Sequence, residues 1–351
     1  MIDTLAGSLG LNSYDPGFWM PLLCFVVFLG VCVAGAVLDG VDLGVGMLIP
    51  FAPPEHRARM FTFLGPWRDL NVFWIFLGCG ILLSAFPKAW AYVSAALYLP
   101  LMLLAAGCLL RGIAYEFRLR AQEARRGAFT AAFALGSLLT ALGQGLILGR
   151  LSVSFSYETG SQWFAFFIAA CVVATFILLG ATWLLMRVDD ELHQRARGWV
   201  RRASRLTAAG VVAVSVALGM VNGGVFFKWT ETTRLPVVLL CWLALLAMFV
   251  VIELVVRKVQ HIRILIWLPF ILTVLIVLSM IAGLVFSIFP FFVLDELTIW
   301  ESVTSLGTTR LLVVAFAFFL VVLPLVMLWY YRDLLGKERK AKDVSFMKRT
   351  D

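Results

Sequence analysis

Two aspartates, Asp39 and Asp42, stand three residues apart inside a long apolar run, Trp19–Phe51. On a helix that spacing puts both carboxylates on one face. An ionisable group at a hydrophobic span is a functional candidate by default, because burying a charge there is costly. At helical rise the pair lies ~30 Å from Trp19, near one membrane border and away from the midplane. A carboxylate pair so placed can relay protons or brace a partner group. The other reading is a helix that ends around Gly40 and leaves both acids in water. Position alone tilts toward the solvated end, while the apolar continuation through Phe51 tilts against it.

Three further polar clusters fall at the same border. Trp67-Arg68-Asp69-Leu70-Asn71-Val72-Phe73-Trp74 enters an apolar stretch, where Asp69 and Asn71 could also cap free backbone N–H groups. Arg111-Gly112-Ile113-Ala114-Tyr115-Glu116-Phe117-Arg118 closes another, and its arginines suit membrane anchoring. The fourth runs from Gly180 to Arg187 and on to Glu191-Leu192-His193. Inside the apolar stretches, Gln144 and Asn222 are isolated amides, better suited to interhelical hydrogen bonds than to a substrate. Gly143, Gly145 and Gly149 suit close helix contact. Glu253 has Arg257 four residues on, the spacing of a local ion pair.

Other chemistries are missing from the pattern. His56, His193 and His261 all fall in segments that read as charged loops, so none reads as an axial haem ligand at membrane depth. The 11 methionines read as packing. The six cysteines lie in apolar stretches without a C-x-x-C pair, which argues against disulfides or metal. No phosphate-binding G-x-x-x-x-G-K-[ST] loop, Ser/His/Asp set or metal-ligand spacing emerges.

The elements that must carry these residues are membrane helices. Of 351 residues, 62% are hydrophobic and 14% charged, which excludes a water-soluble domain. Nine spans of roughly 20 residues are expected: Trp19–Phe51, Leu70–Phe86, Trp90–Leu110, Gly127–Gly149, Trp163–Met186, Leu206–Phe226, Pro236–Val256, Ile264–Phe291 and Leu311–Tyr331. Residues 1–351 read as one membrane domain ending in a basic tail, 332–351. Asp3 and Asp15, with no basic residue before the first span, favour a retained first helix over a cleaved signal. Twenty-four of the 29 Lys and Arg follow the odd-numbered spans or lie in the tail. The positive-inside rule then places the N-terminus outside and the tail in the cytoplasm. The net charge of +8 is thereby explained by topology, and nucleic acid is not an expected partner. Tryptophans at the span ends are ordinary interfacial anchors.

Taken together, these motifs resemble those of subunit II of cytochrome bd-type quinol oxidases. Asp39-Gly40-Val41-Asp42-Leu43-Gly44-Val45-Gly46-Met47-Leu48 is similar to that family's D-G-x-D-x-G-x-G-M-L. Trp67 to Trp74 resembles W-D-G-N-Q-V-W, with Arg68 inserted, Leu70 in place of Gly and Val72-Phe73 in place of Gln-Val. Arg111, Glu116 and Arg118 match R-x-x-x-[FY]-[DE]-[FY]-R, and Gly180-Ala181-Thr182 through Leu192 matches G-A-T-[YW]-L-x-M-[RK]…E-L. Phe289-Pro290 and Leu297-Thr298-Ile299-Trp300, with Ser302 and Ser305, resemble F-P…L-T-x-W-x-x-x-S. The matches keep family order across residues 39–305, and the short loop between spans six and seven is similar to the cyanide-insensitive branch.

The resemblance implies an all-α polytopic membrane protein with nine transmembrane helices, in two four-helix bundles plus one peripheral helix. It implies a subunit that binds no haem itself. Subunit I would carry the haems (two b-type and one d-type, or a b-type in its place) and the quinol site, and the complex would reduce O2 to water. Asp39, Asp42 and Asp69 become candidates for a proton path from the cytoplasm, and Trp74 for the lining of an O2 route. Arg111, Glu116, Gln144 and Trp300 are expected to be structural or interfacial. A small accessory subunit, membrane lipids and a structural quinone are compatible partners, in a bacterial cytoplasmic (inner) membrane.

Two rivals stand beside this reading. One is a proton- or ion-coupled secondary transporter using Asp39 and Asp42, although transporter sites lie near the midplane, often at broken helices. The other is a purely structural assembly subunit. Asp69→Asn or Asp39→Asn is expected to slow O2 reduction while leaving haem content intact. Expressed alone, the chain should show no haem absorbance, and with its haem subunit it should co-purify as a haem complex. Transport by the isolated chain would contradict this.

Overall fold

Asp15 starts the first helix: its carboxylate accepts a hydrogen bond from Gly17 N–H at 2.8 Å, and Pro16 occupies the first turn. Pro21 lies within the helix close to its start, and α1 continues past it over Pro16–Leu48, ~50 Å at helical rise, with Pro50 just beyond its end. The computed structural model describes residues 7, 10–64, 68–153, 155, 158–188, 191–258, 263–319, 321–322, 325–326 and 328. The basic tail 332–351 and His261 lie outside them.

A 3-10 turn, Ile49–Phe51, turns the chain into α2 (Pro54–Leu64). There follow α3 (Arg68–Ala85), α4 (Pro87–Ala96), α5 (Tyr98–Arg120), α6 (Glu123–Ser152), α7 (Thr159–Arg187), α8 (Glu191–Val221), α9 (Gly223–Thr230), α10 (Leu235–Lys258) and α11 (Leu268–Ile288). An antiparallel pair, β1 (Phe291–Val293) with β2 (Leu297–Thr298), leads into α12 (Ile299–Ser302) and α13 (Leu306–Phe319). Helix α1 is central, packing on α3, α6 and α7. Helices α5 to α8 pack in sequence order, and α10 and α11 close on α8 and α7.

Glycine sets how closely these helices approach. A Cβ on Gly44 would strike the Phe176 carbonyl oxygen, and one on Gly180 would strike the Gly44 backbone, so α1 and α7 cross backbone to backbone. A Cβ on Gly107 would lie 2.5 Å from Thr140 N, and one on Gly136 2.6 Å from Arg111 N. The close contact expected of Gly143, Gly145 and Gly149 is present: Gly143 meets Leu104 on α5, and the other two meet Ala169 and Ala165 on α7. Lacking a hydrophobic drive between helices in lipid, such small-residue contacts supply the packing.

Several boundaries differ from the sequence expectation. Seven described helices are long and apolar enough to cross a membrane, and Leu70–Ala85 and Leu306–Phe319 are shorter apolar helices. The third expected span, Trp90–Leu110, is two helices. The chain breaks at Leu97 (φ −112°, ψ 18°), and Pro100, which lacks an N–H, sits where α5 needs none. Arg111 is therefore mid-helix and not in a loop. The arginine-rich 195–205 segment is likewise helical, since α8 begins at Glu191. That helix ends at Val221, short of the expected Phe226, because Asn222 caps α9 by accepting the Val225 N–H at 3.0 Å. His56 lies in α2 and His193 in the first turn of α8, again not in loops.

Gly44→Ala or Gly180→Ala should force α1 and α7 apart, an overpacking cost of about 1–3 kcal/mol. A thermal melt of the purified protein should show it, whereas Gly30→Ala, with nothing within 4 Å of the added carbon, should melt like the wild type.

Candidate functional site

From α5, packed on α6, the Arg111 side chain reaches the polar face of α1. There Arg111 Nη2 donates to Asp39 Oδ1 at 2.6 Å, and the two side chains are 1% and 0% exposed. One turn on, Asp42 is buried too, and its Oδ2 accepts from Asn71 Nδ2 at 2.7 Å. The same amide reaches Leu38 O at 3.3 Å. The helix does not end at Gly40. It carries both acids into the interior, so the solvated reading of the pair is overturned.

Two carboxylates here share one direct cation. Taking a carboxylate and a guanidinium out of water costs several kcal/mol each, repaid only by close pairing and further hydrogen bonds. Asp39 and Arg111 pair closely, yet Asp39 Oδ2 and Arg111 Nη1 are buried without a hydrogen-bond partner among the described residues. Asp42 is held by a neutral amide in place of a cation. A buried site with unused donors and acceptors can exchange protons or take a small polar molecule. Gly40 leaves space for the Phe176 ring, 2.8 Å from where a Cβ would sit, which seals this face with apolar surface.

Asn71 is the residue whose role its position obscured. Helix α3 begins at Arg68, so Asn71 is not an N-cap, and its amide crosses to α1. Asp69 occupies the first turn of α3, and its side chain lies outside the described residues, as does Trp67. Arg68 is buried, stacks over the Tyr115 ring at 3.5 Å and approaches Glu116 at 3.9 Å. Glu116 is half exposed and lies 3.9 Å from Arg120. These groups form a polar edge beside the buried acids.

The remaining predicted residues are dispersed. Trp74, three residues after Asn71, packs on α1 where a Cβ on Gly35 would come within 3.2 Å of it, and its Nε1 is buried without a partner among the described residues. Gln144 is half-buried on α6 and forms no side-chain hydrogen bond with any described residue, contrary to the interhelical bond expected of it. Trp300 lies on α12, stacked on Phe18 at 5.4 Å with its Nε1 donating to Phe18 O at 3.0 Å. It ties α12 to the start of α1, far along α1 from the acids. Next to it, the Thr298 N–H and then the Thr298 hydroxyl hold the Glu301 carboxyl below its ordinary range.

Two groupings were not legible in the sequence. Glu253 meets Arg257 at 3.0 Å as its spacing predicts, but also Arg205 at 2.7 Å and Arg201 at 3.2 Å, which pins α10 to α8. Glu55, His56 and Glu191 place ligand-type atoms within 4.8 Å of one another. Both acids sit in first turns, where the helix dipole favours anions and opposes a cation. His193 Nδ1 lies 2.9 Å from Val188 O at the same end.

The family pattern described as cytochrome bd terminal oxidase subunit II matches residues 20–333. Cytochrome bd-I ubiquinol oxidase subunit 2 of Escherichia coli (strain K12) is 30% identical over 199 residues, 52% of this chain and 52% of that protein. Cytochrome bd ubiquinol oxidase subunit 2 of Bacillus subtilis (strain 168) is 25% identical over 243 residues, 65% of this chain and 71% of the relative. The chain thus spans about half the length of the Escherichia coli relative it matches. A chain of the bd oxidase structure from Geobacillus thermodenitrificans shares the fold, with a TM-score of 0.72 at 18% identity, covering 88% of this chain and 97% of that one. By the family pattern that matches nearly its whole length, the chain belongs to the cytochrome bd terminal oxidase subunit II family.

Proposed function

We propose that this chain is the non-haem subunit of a bd-type terminal oxidase, supporting a haem-carrying subunit I and conducting protons toward it from the cytoplasmic border. In this reading quinol oxidation and reduction of O2 to water take place in the partner, which holds the haems and the quinol. The chain itself is not the catalytic one. The observation that carries the proposal is the buried Asp39–Arg111 pair with Asp42 and Asn71 one turn away.

The division of labour follows from the hydrogen bonds. Arg111 stays charged, because a guanidinium does not give up its proton in a protein. It donates to Asp39 Oδ1 at 2.6 Å, so a proton carried on that oxygen would have to break the pair. Asp42 has only an amide donor, so its carboxyl can accept a proton on one oxygen and release it without breaking an ion pair. Asp69, in the first turn of α3, is proposed as the entry group, with the Arg68–Glu116 edge beside it. Trp74 is proposed to line an O2 route, since its ring packs among apolar side chains between α1 and α3.

The unbroken course of α1 through both acids supports the oxidase reading over the transporter, whose ion sites favour broken helices. The proposal keeps nine spans, one membrane domain with a basic tail at 332–351, an external N-terminus and a cytoplasmic C-terminus in the bacterial inner membrane. A small accessory subunit and a structural quinone or lipid remain compatible with it.

Asp42→Asn should slow O2 reduction by about a hundredfold or more, the scale of losing a proton-transfer group, with haem content and subunit ratio unchanged. Haem content falling in step with activity would instead make Asp42 structural. Asp39→Asn should strand a buried Arg111 at a cost of about 3–5 kcal/mol, so the complex should lose thermal stability in addition to slowing. Asp39→Leu combined with Arg111→Leu should recover that stability, measured by melting the purified complex.

A further inference from the structure

Helix α8 carries five arginines along its first half, and four have partners within the protein. Arg195 meets Glu191 at 3.4 Å, and Arg201 and Arg205 share Glu253. Arg197 donates to the carbonyls of Val256 and Arg257, at 3.0 and 3.2 Å, at the C-terminal end of α10. Arg202 alone has no partner among the described residues and is exposed. It stands on the wall of a groove of about 290 Å³ between α7 and α8. Ala170, Val173, Ala174 and Ile177 form one wall, at the spacing of a single helix face, and Trp199 and Arg202 lie on the other.

An uncompensated guanidinium beside an apolar groove on a membrane helix is costly unless it reaches water or meets an anion. Phosphate matches its geometry, accepting two N–H groups at once. The groove supplies what a phosphate alone would not use: an apolar lining that a hydrocarbon chain can cover, beside an indole of the kind that favours the headgroup level. We propose that the α7–α8 groove binds one anionic phospholipid, with its phosphate on Arg202 and an acyl chain along the Ala170–Ile177 face. This goes beyond the proton path and does not depend on it.

The test uses the purified complex in mild detergent, titrated with phosphatidylglycerol or with phosphatidylcholine of the same acyl chains and read by native mass spectrometry. One phosphatidylglycerol should be retained more tightly than phosphatidylcholine. Arg202→Gln should weaken that retention by about tenfold, the scale of a charge-assisted hydrogen bond, and Arg202→Lys should restore part of it. Ala174→Phe, which fills the groove with Arg202 in place, should also weaken it. Equal retention of the two lipids, or retention indifferent to Arg202→Gln, would overturn the proposal and leave the groove as ordinary lipid-facing surface. A quinone displacing phosphatidylglycerol from the wild type but insensitive to Arg202→Gln would overturn it as well, in favour of a neutral occupant.

Discussion

The ion pair between Asp39 and Arg111 joins helices from distant parts of the chain, which a series of close glycine crossings packs into one body. Asp39 sits on α1 and Arg111 on α5, 72 residues later, and their charged atoms lie 2.6 Å apart with both side chains buried. Much of the packing serves that approach. Gly107 and Gly136 seat α5 on α6, Gly145 and Gly149 seat α6 on α7, and Gly44 against Gly180 seats α7 on α1. The ring of contacts closes at the polar face of α1. A buried charge pair has little net value for stability, so its presence in a chain with only 14% charged residues points to function, as does the second acid one turn away.

Asp39 and Asp42 differ in what holds them, and the difference suits different duties. A guanidinium pairs with one; a neutral amide donates to the other. Asn71 therefore positions Asp42, and it does so from α3, the same helix that carries Asp69 and Trp74. Helix α3 thus gathers the proposed proton and oxygen elements on one strut packed against α1. The far end of α1 is tied separately, where Trp300 stacks on Phe18.

Hydropathy made most of the helices legible, because a span must be apolar for ~20 residues whatever its partners. It was blind where an apolar run hides a break. Nothing in the hydropathy of Trp90–Leu110 marks the interruption at Leu97, although Pro87 and Pro100 mark the two helix starts. Asn222 serves both duties an isolated amide can have there, capping α9 through its oxygen and donating through its nitrogen to Asp295 at 3.4 Å, 73 residues away. The acids themselves were legible as candidates, yet their burial was not, since the partners of Asp39 and Asp42 come 72 and 29 residues later. The same limit applies to Glu253, whose near arginine is local while Arg201 and Arg205 are 52 and 48 residues away.

The central claim is that this buried cluster conducts protons and does more than join helices. It is tested most directly by proton uptake in vesicles holding the oriented complex, followed with a pH indicator on the cytoplasmic side during a single turnover with O2. The account predicts that Asp42→Asn slows uptake and the turnover together, while haem spectra and subunit ratio match the wild type. Uptake at the wild-type rate in that variant would contradict it.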